Sequence, residues 1–249
     1  MNRTILTDDL WEKLRKMIEF SAAYLTDNLR FHIEGILWRF RTGTPWCDLP
    51  DIFEPWKTIF NLFNDWSKSD VWHHLFLLIR GELDTGCNFM DGTYIKVHQH
   101  AAGSVEPKEM KTIGMSRGGN TTKVHMMAEG KGNPVDFKLN AGNINDSSLG
   151  AELIAISDGY NIIGVKGYDS ETLRDLIQEK GSTPHIPRKA NSTKQNYEFN
   201  NAMYRHRHLI ENLFARLKHF RAFATHYYKL TRNYCSVVSI ARLVVWLKL

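Results

Sequence analysis

The apolar residues of this 249-residue chain recur every three to four positions as far as Arg80, and every two positions in short runs from Cys87 onward. Both periods in that order require a helical region followed by a sheet. Ahead of the switch, Thr7 or Asp8 can cap a first helix through Phe20, with Leu10, Leu14 and Met17 as its apolar stripe. Thr26 or Asp27 can cap a second helix to about Arg41 that buries Ile33, Ile36, Leu37 and Phe40. The stretch RTGTPWCDLPDIFEPW is turn-rich, with Gly43, Pro45, Pro50 and Pro55. Helices over Trp56–Lys68 and Val71–Arg80 follow. Short helices about a tight turn suit a DNA-reading helix-turn-helix and suit a plain docking domain equally. The tryptophans of this region (Trp11, Trp38, Trp46, Trp56, Trp66 and Trp72) read as core.

Beyond the switch, β-branched and aromatic runs predict strands at about 88–98, 121–129 and 134–141, the first two separated by a polar loop over 99–120. A helix over Asp146–Ile156, a buried strand in NIIGVKG, a helix over Glu171–Lys180 and a short strand in TPHIPR come next. Helices fill 197–220 and 232–248. Three consecutive strands followed by alternation predict an α/β fold, one mixed sheet with helices on both faces. The domain boundary falls between residues 84 and 85.

Charge is unevenly spread. Residues 182–249 hold 12 Lys and Arg against 2 Asp and Glu, whereas residues 1–181 hold 20 against 25. An amphipathic basic segment of this kind points to a polyanion, with nucleic acid the first candidate. The composition, 43% hydrophobic and 24% charged, is that of a globular domain. No apolar run reaches the length of a membrane span. Three scattered cysteines form no ligand spacing and predict reduced thiols in a cytoplasmic protein. His98, His100 and His125 lack the Cys partners or helical His pair of a zinc site. The Gly118–Gly119 pair matches no nucleotide-binding spacing.

Two acidic positions carry the chemistry. In YRHRHLIENLFARLK, Tyr204, Arg207, Glu211 and Lys218 are spaced by three, four and seven. On a continuous helix all four fall within an arc of roughly 60°, while Leu209, Leu213 and Leu217 line another face. The second acid, Asp91, sits mid-strand in FMDGTYIKV, where a carboxylate is costly unless it pairs or binds a metal. A strand Asp and a helix Glu of one domain are the oxygen donors that a shared divalent ion takes.

The Y-x2-R-x3-E-x6-K spacing together with MDGT resembles DDE transposases of bacterial insertion sequences. The blocks RTGTPWCDLP, SRGGNTTKVHMM, GNPVDFKLNAG, KGYDSETLR and RLKHFRAFATHYYKL are similar to the insertion sequence five group within them. The resemblance runs through nearly the whole chain. It implies a ribonuclease H-like catalytic domain over 85–249, and a helical region over 1–84 that helps to bind transposon ends. It also implies strand cleavage and strand transfer with Mg²⁺ (Mn²⁺ can substitute), double-stranded DNA as partner, and a dimer or larger assembly on that DNA in the bacterial nucleoid. Asp91 would be the first catalytic acid and Glu211 the third, both metal ligands. Tyr204, Arg207 and Lys218, with the nearby Arg216 and Arg221, would contact DNA.

The second acid is where the chain departs from that pattern. The family carries Asp ahead of Lys/Arg-Gly-Tyr-Asp, whereas this chain reads GVKGYDS, with Val165 at the expected acid. Asp169 is a partial substitute, although its expected role is to cap the helix opening at Glu171. Asp158 is a weaker one. The resulting expectation is a transposase with impaired catalysis, or a remnant that only binds DNA. Cys47, where the related turn carries Arg, removes one expected DNA contact.

Overall fold

The structure, a computed structural model, describes residues 5–21, 26–53, 55–103, 112–197 and 199–248. The expected loop over 99–120 therefore lies partly outside the described residues. The chain forms two compact units. The first comprises residues 1–81, 98–107 and 217–249, and the second residues 82–97 and 108–216. Residues 217–249 cluster with the N-terminal helices.

The first unit is helical: α1 (Asp8–Phe20), α2 (Leu29–Thr42), α3 (Trp56–Lys68) and α4 (Val71–Ile79). Thr7 caps α1, its hydroxyl accepting from the Leu10 N–H at 3.3 Å. The second cap differs from expectation. Asn28 precedes α2 and makes no side-chain cap bond. The predicted face of α2 is buried, with Ile33, Ile36, Leu37 and Phe40 all under 5% exposed. Gly35 lets α3 approach, because a Cβ there would stand 2.7 Å from Ile59 Cδ1. Gly43 ends α2 in the left-handed conformation (φ +70°), its N–H returning to the Arg39 carbonyl at 2.8 Å. Of the tryptophans read as core, Trp66 and Trp72 are buried, whereas Trp11, Trp38, Trp56 and Trp46, the last in a short 3₁₀ turn (Trp46–Asp48), are half-buried.

The second unit holds strands β1 (Cys87–Val97), β2 (Gly114–Ser116), β3 (Gly119–Glu129) and β4 (Pro134–Ala141), then helix α5 (Gly150–Ala155). Strand β5 (Asn161–Gly164), helix α6 (Glu171–Glu179) and strand β6 (Thr183–His185) follow. The strand order is β4-β3-β1-β5-β6, with β2 extending the ladder at the start of β3. β1, β3 and β4 are antiparallel neighbours, and β5 and β6 run parallel to β1. This is the ribonuclease H-like mixed sheet that the resemblance implies. Met90, Met127 and Ile162 pack with Leu153, Leu173 and Ile177 into the core between the sheet and the helices α5 and α6. Strand pleating turns Asp91 to the opposite face.

Three expected elements differ in extent from the prediction. NIIGVKG leaves the ladder at Gly164, after which Lys166–Tyr168 coils into a 3₁₀ turn. The helix expected from Asp146 begins as a 3₁₀ turn, and α5 proper starts at Gly150. The helix expected over 197–220 is two helices, α7 (Asn201–Arg205) and α8 (His208–Lys218). Between them the backbone tightens to i→i+3 bonds: Arg207 N–H to Tyr204 O at 3.0 Å and Ile210 N–H to Arg207 O at 3.1 Å. Tyr204 and Glu211 therefore lie on different helices. The short α9 (Arg221–Ala224) and the long α10 (Thr231–Leu247) complete the chain, and both belong to the first unit.

Candidate active site

Asp91 lies mid-strand on β1, its side chain 16% exposed. Its Oδ1 accepts from the Gly92 N–H at 2.7 Å, and its Oδ2 stands 4.0 Å from Arg207 Nη1. The same Nη1 is 2.6 Å from Glu211 Oε1, four residues along the chain from Arg207. One guanidinium therefore stands between the strand carboxylate and the helix carboxylate. Burial raises the Asp91 pKa, and the Glu211 charge adds to the rise. The Gly92 N–H, Arg207 and Lys123 offset only part of it. Arg207 also lies over the Tyr204 ring at 5.5 Å, and that ring packs on Phe199 at 5.2 Å. Tyr204 reaches the cluster through Arg207, across the break between α7 and α8.

Sequence reasoning did not single out Lys123. It sits on β3 with its side chain only 4% exposed, its ammonium 4.5 Å from the Tyr94 ring centre and paired with Asp146. Gly92 makes room for it, since a Cβ there would stand 2.8 Å from Lys123 Cε. The readable signal was a lysine within a β-branched run whose neighbours are buried. On the same strand His125 bonds Tyr168 Oη at 2.7 Å and Asn140 Oδ1 at 3.1 Å, and burial lowers its pKa to about 4.

β1 and β5 pair in parallel as far as Met90 opposite Gly164, the residues immediately before Asp91 and Val165. Val165 packs against the apolar core and offers no donor.

Asp169 does not cap α6; Ser170 holds the cap position. Its Oδ1 accepts from Arg174 Nε at 3.2 Å and Nη2 at 2.9 Å, and its Oδ2 from the Lys189 N–H at 2.7 Å. Burial acts to raise its pKa, but these donors and Arg188 together hold it below the ordinary range. A carboxylate engaged on both oxygens is a poor substitute for a missing ligand. Arg216, Lys218 and Arg221 are exposed.

Asp91 and Glu211 are hard oxygen donors of the kind Mg²⁺ takes, so the chemistry of the pair fits the ion. The set is short of a third, and no group of three His, Cys, Asp or Glu side chains suited to a metal occurs among the described residues.

Two family models match the chain. One, described as "Putative transposase of IS4/5 family", covers residues 6–76. The other, "Transposase DDE domain", covers residues 83–246. A protein of Brucella ovis named "Putative transposase for insertion sequence element IS6501" is 28% identical over 131 residues, covering 51% of this chain and 99% of that protein. An uncharacterized protein of Sinorhizobium fredii, y4sN, is 28% identical over 107 residues, 41% of this chain and 85% of its own length. Among solved structures, a piggyBac transposase synaptic complex with hairpin DNA aligns with 99% of this chain at 12% identity and a TM-score of 0.44. This chain spans 62% of that protein's length. Carrying an IS4/5-type model over its helical region and the DDE model over the rest, the chain belongs to the DDE transposases of insertion sequences.

Proposed function

We propose that this chain binds the ends of its transposon as double-stranded DNA, and that its strand cleavage and strand transfer are impaired for want of one carboxylate. In that chemistry the oxygen of water, and later a freed 3′-hydroxyl, attacks a backbone phosphorus. One phosphorus–oxygen bond forms as another breaks, and the departing oxygen keeps the electron pair. Asp91 and Glu211 would hold the divalent ion, Mg²⁺ or Mn²⁺, which polarises the phosphate and activates the attacking oxygen. Arg207 would leave its place between the two acids for a DNA phosphate, whose two non-bridging oxygens its planar fork can take together. Tyr204 would steady that guanidinium, and the exposed Arg216, Lys218 and Arg221 would add backbone contacts without sequence preference. Two copies are needed to hold two ends together, so the working form on DNA is a dimer or larger.

The observation that carries this reading is the parallel pairing of β1 and β5, whose last partners, Met90 and Gly164, immediately precede Asp91 and Val165. The experiment is cleavage of a supercoiled plasmid bearing both ends, in Mg²⁺ or Mn²⁺, by the chain as it stands and by Val165→Asp. Loss of an outer-shell partner alone costs a metal site about 10–100-fold, so the restored ligand should raise the rate by more than about 100-fold. Equal cutting by both proteins would place the second acid elsewhere. Binding of the ends by both, with cutting by neither, would leave a DNA-binding protein without catalysis.

A further inference from the structure

We infer that the first unit carries a pocket for a single unstacked nucleotide, formed by residues outside the Asp91 cluster. A cavity of about 490 Å³ opens there, lined among others by Arg39, Trp46, Phe60, Tyr228, Lys229 and Asn233. That volume lies within the range of small-ligand sites. Gly43, Pro45 and Trp46 of its lining come from RTGTPWCDLP and Tyr227, Tyr228, Lys229 and Leu230 from ATHYYKL, neither of which the Asp91 cluster uses.

Three features select the ligand. The walls are aromatic: Trp46 packs edge-on against Phe60 at 5.6 Å, and the Arg39 guanidinium lies 4.9 Å from the ring centres of both Trp46 and Tyr228. The pocket is also cationic. Arg39 is only 5% exposed, donates through Nε to the Thr44 carbonyl at 3.1 Å and through Nη1 to Tyr228 Oη, and has no carboxylate partner among the described residues. A buried guanidinium without a counter-ion favours an anion, and exposed Lys229 stands on the same cavity. Finally, the pocket holds an unanswered acceptor. Asn233 is 6% exposed, gives its Nδ2 to Asn64 Oδ1 at 3.4 Å, and keeps a buried Oδ1 without a partner. A buried acceptor left unpaired costs about 1–3 kcal/mol, and a ligand N–H would relieve it. A flat aromatic ring that bears an N–H donor and an attached anion is a nucleobase with its phosphate. An unpaired base offers such a donor on its pairing edge, the exocyclic amine of adenine, cytosine or guanine or the ring N3–H of thymine.

Such a nucleotide can come from an unpaired position in a DNA strand or from a free mononucleotide. The probes are therefore a duplex with one unpaired 2-aminopurine, the same duplex fully paired, and dAMP, each titrated against the full chain. Fluorescence of 2-aminopurine and of tryptophan is read. Quenching of the unpaired probe beyond the paired one assigns the site to a DNA strand. Saturable quenching of Trp46 by dAMP assigns it to a free nucleotide. In either arm Trp46→Ala should weaken binding about 5- to 100-fold, the range of one base–aromatic stack. Asn233→Leu should weaken binding in the same arm while the protein keeps its circular dichroism. Absence of selective quenching in both arms, or quenching that Trp46→Ala leaves unchanged, overturns the inference. The paired duplex tests DNA binding by itself, so its failure would count against the proposed function and leave the dAMP arm to judge the pocket.

Discussion

Two clusters in the second unit pair aspartate with arginine, and they behave in opposite ways. At Asp169 the carboxylate and Arg174 are both almost fully enclosed, with side chains 5% and 6% exposed, and both oxygens are engaged. Its pKa is held down. At Asp91 the nearest cation stands 4.0 Å away and is shared with Glu211, which is half exposed, and burial lifts the pKa. The first arrangement joins α6 to the segment that follows β6 and leaves nothing over for a ligand. The second is unbalanced, with a carboxylate poorly compensated and a cation free to exchange partners. Geometry of this second kind is retained where an outside ion or phosphate completes the balance.

The comparison breaks most readily at Asp169. Asp169→Asn leaves the Arg174 guanidinium enclosed without its counter-charge, and removal of one partner from such a pair costs about 3–5 kcal/mol. Urea unfolding at pH 7 should show that loss; a change near zero would mean that the cluster is not structural.

His125 extends the comparison to a buried base. Its folded pKa of about 4 lies below the unfolded value of 6.5, so the folded state prefers the neutral ring. Its contribution to stability is therefore complete above about pH 6.5 and is lost as the pH falls toward 4, by at most about 3 kcal/mol. His226 in the first unit has the same direction and the same value. Unfolding free energies at pH 7 and pH 4.5 for the parent and His125→Gln should differ in slope, the variant being flatter.

The smallest effect is expected at Asp91. A carboxyl whose folded pKa is raised holds its proton more tightly in the fold, so ionisation at pH 7 lowers stability. Asp91→Asn removes that penalty and should stabilise the protein at pH 7 by on the order of 1 kcal/mol, with little change near pH 3. Destabilisation instead would show that Asp91 serves the fold as Asp169 does.

Much of this architecture was legible because the period of the apolar residues is local. The β1, β3 and β4 segments fall within two residues of their predicted bounds, and α3 spans its predicted range. The break between α7 and α8 was not legible, since His206 keeps right-handed helical dihedrals (φ −72°, ψ −4°) and only the hydrogen-bond spacing changes. Strand β2 is three residues long and owes its pairing to β3. Asp91 and Glu211 were paired as the oxygen donors of a shared ion, and the family resemblance added their catalytic roles, because no spacing rule joins residues 120 positions apart. The role of Asp169 was misread as a cap because its partners, Arg174, Arg188 and the Lys189 N–H, include two from a segment some twenty residues on.

The early end of β5 has an evolutionary consequence. With the ladder complete at Gly164, the backbone at residue 165 is released from pairing, so a change of side chain there disturbs no strand bond. A change at the middle base alone turns a valine codon into one for aspartate or glutamate. On the proposed reading, one transversion separates a quiet copy of this element from a copy with all three acids. A lineage carrying it would hold a dormant enzyme whose scaffold persists intact, open to reversion.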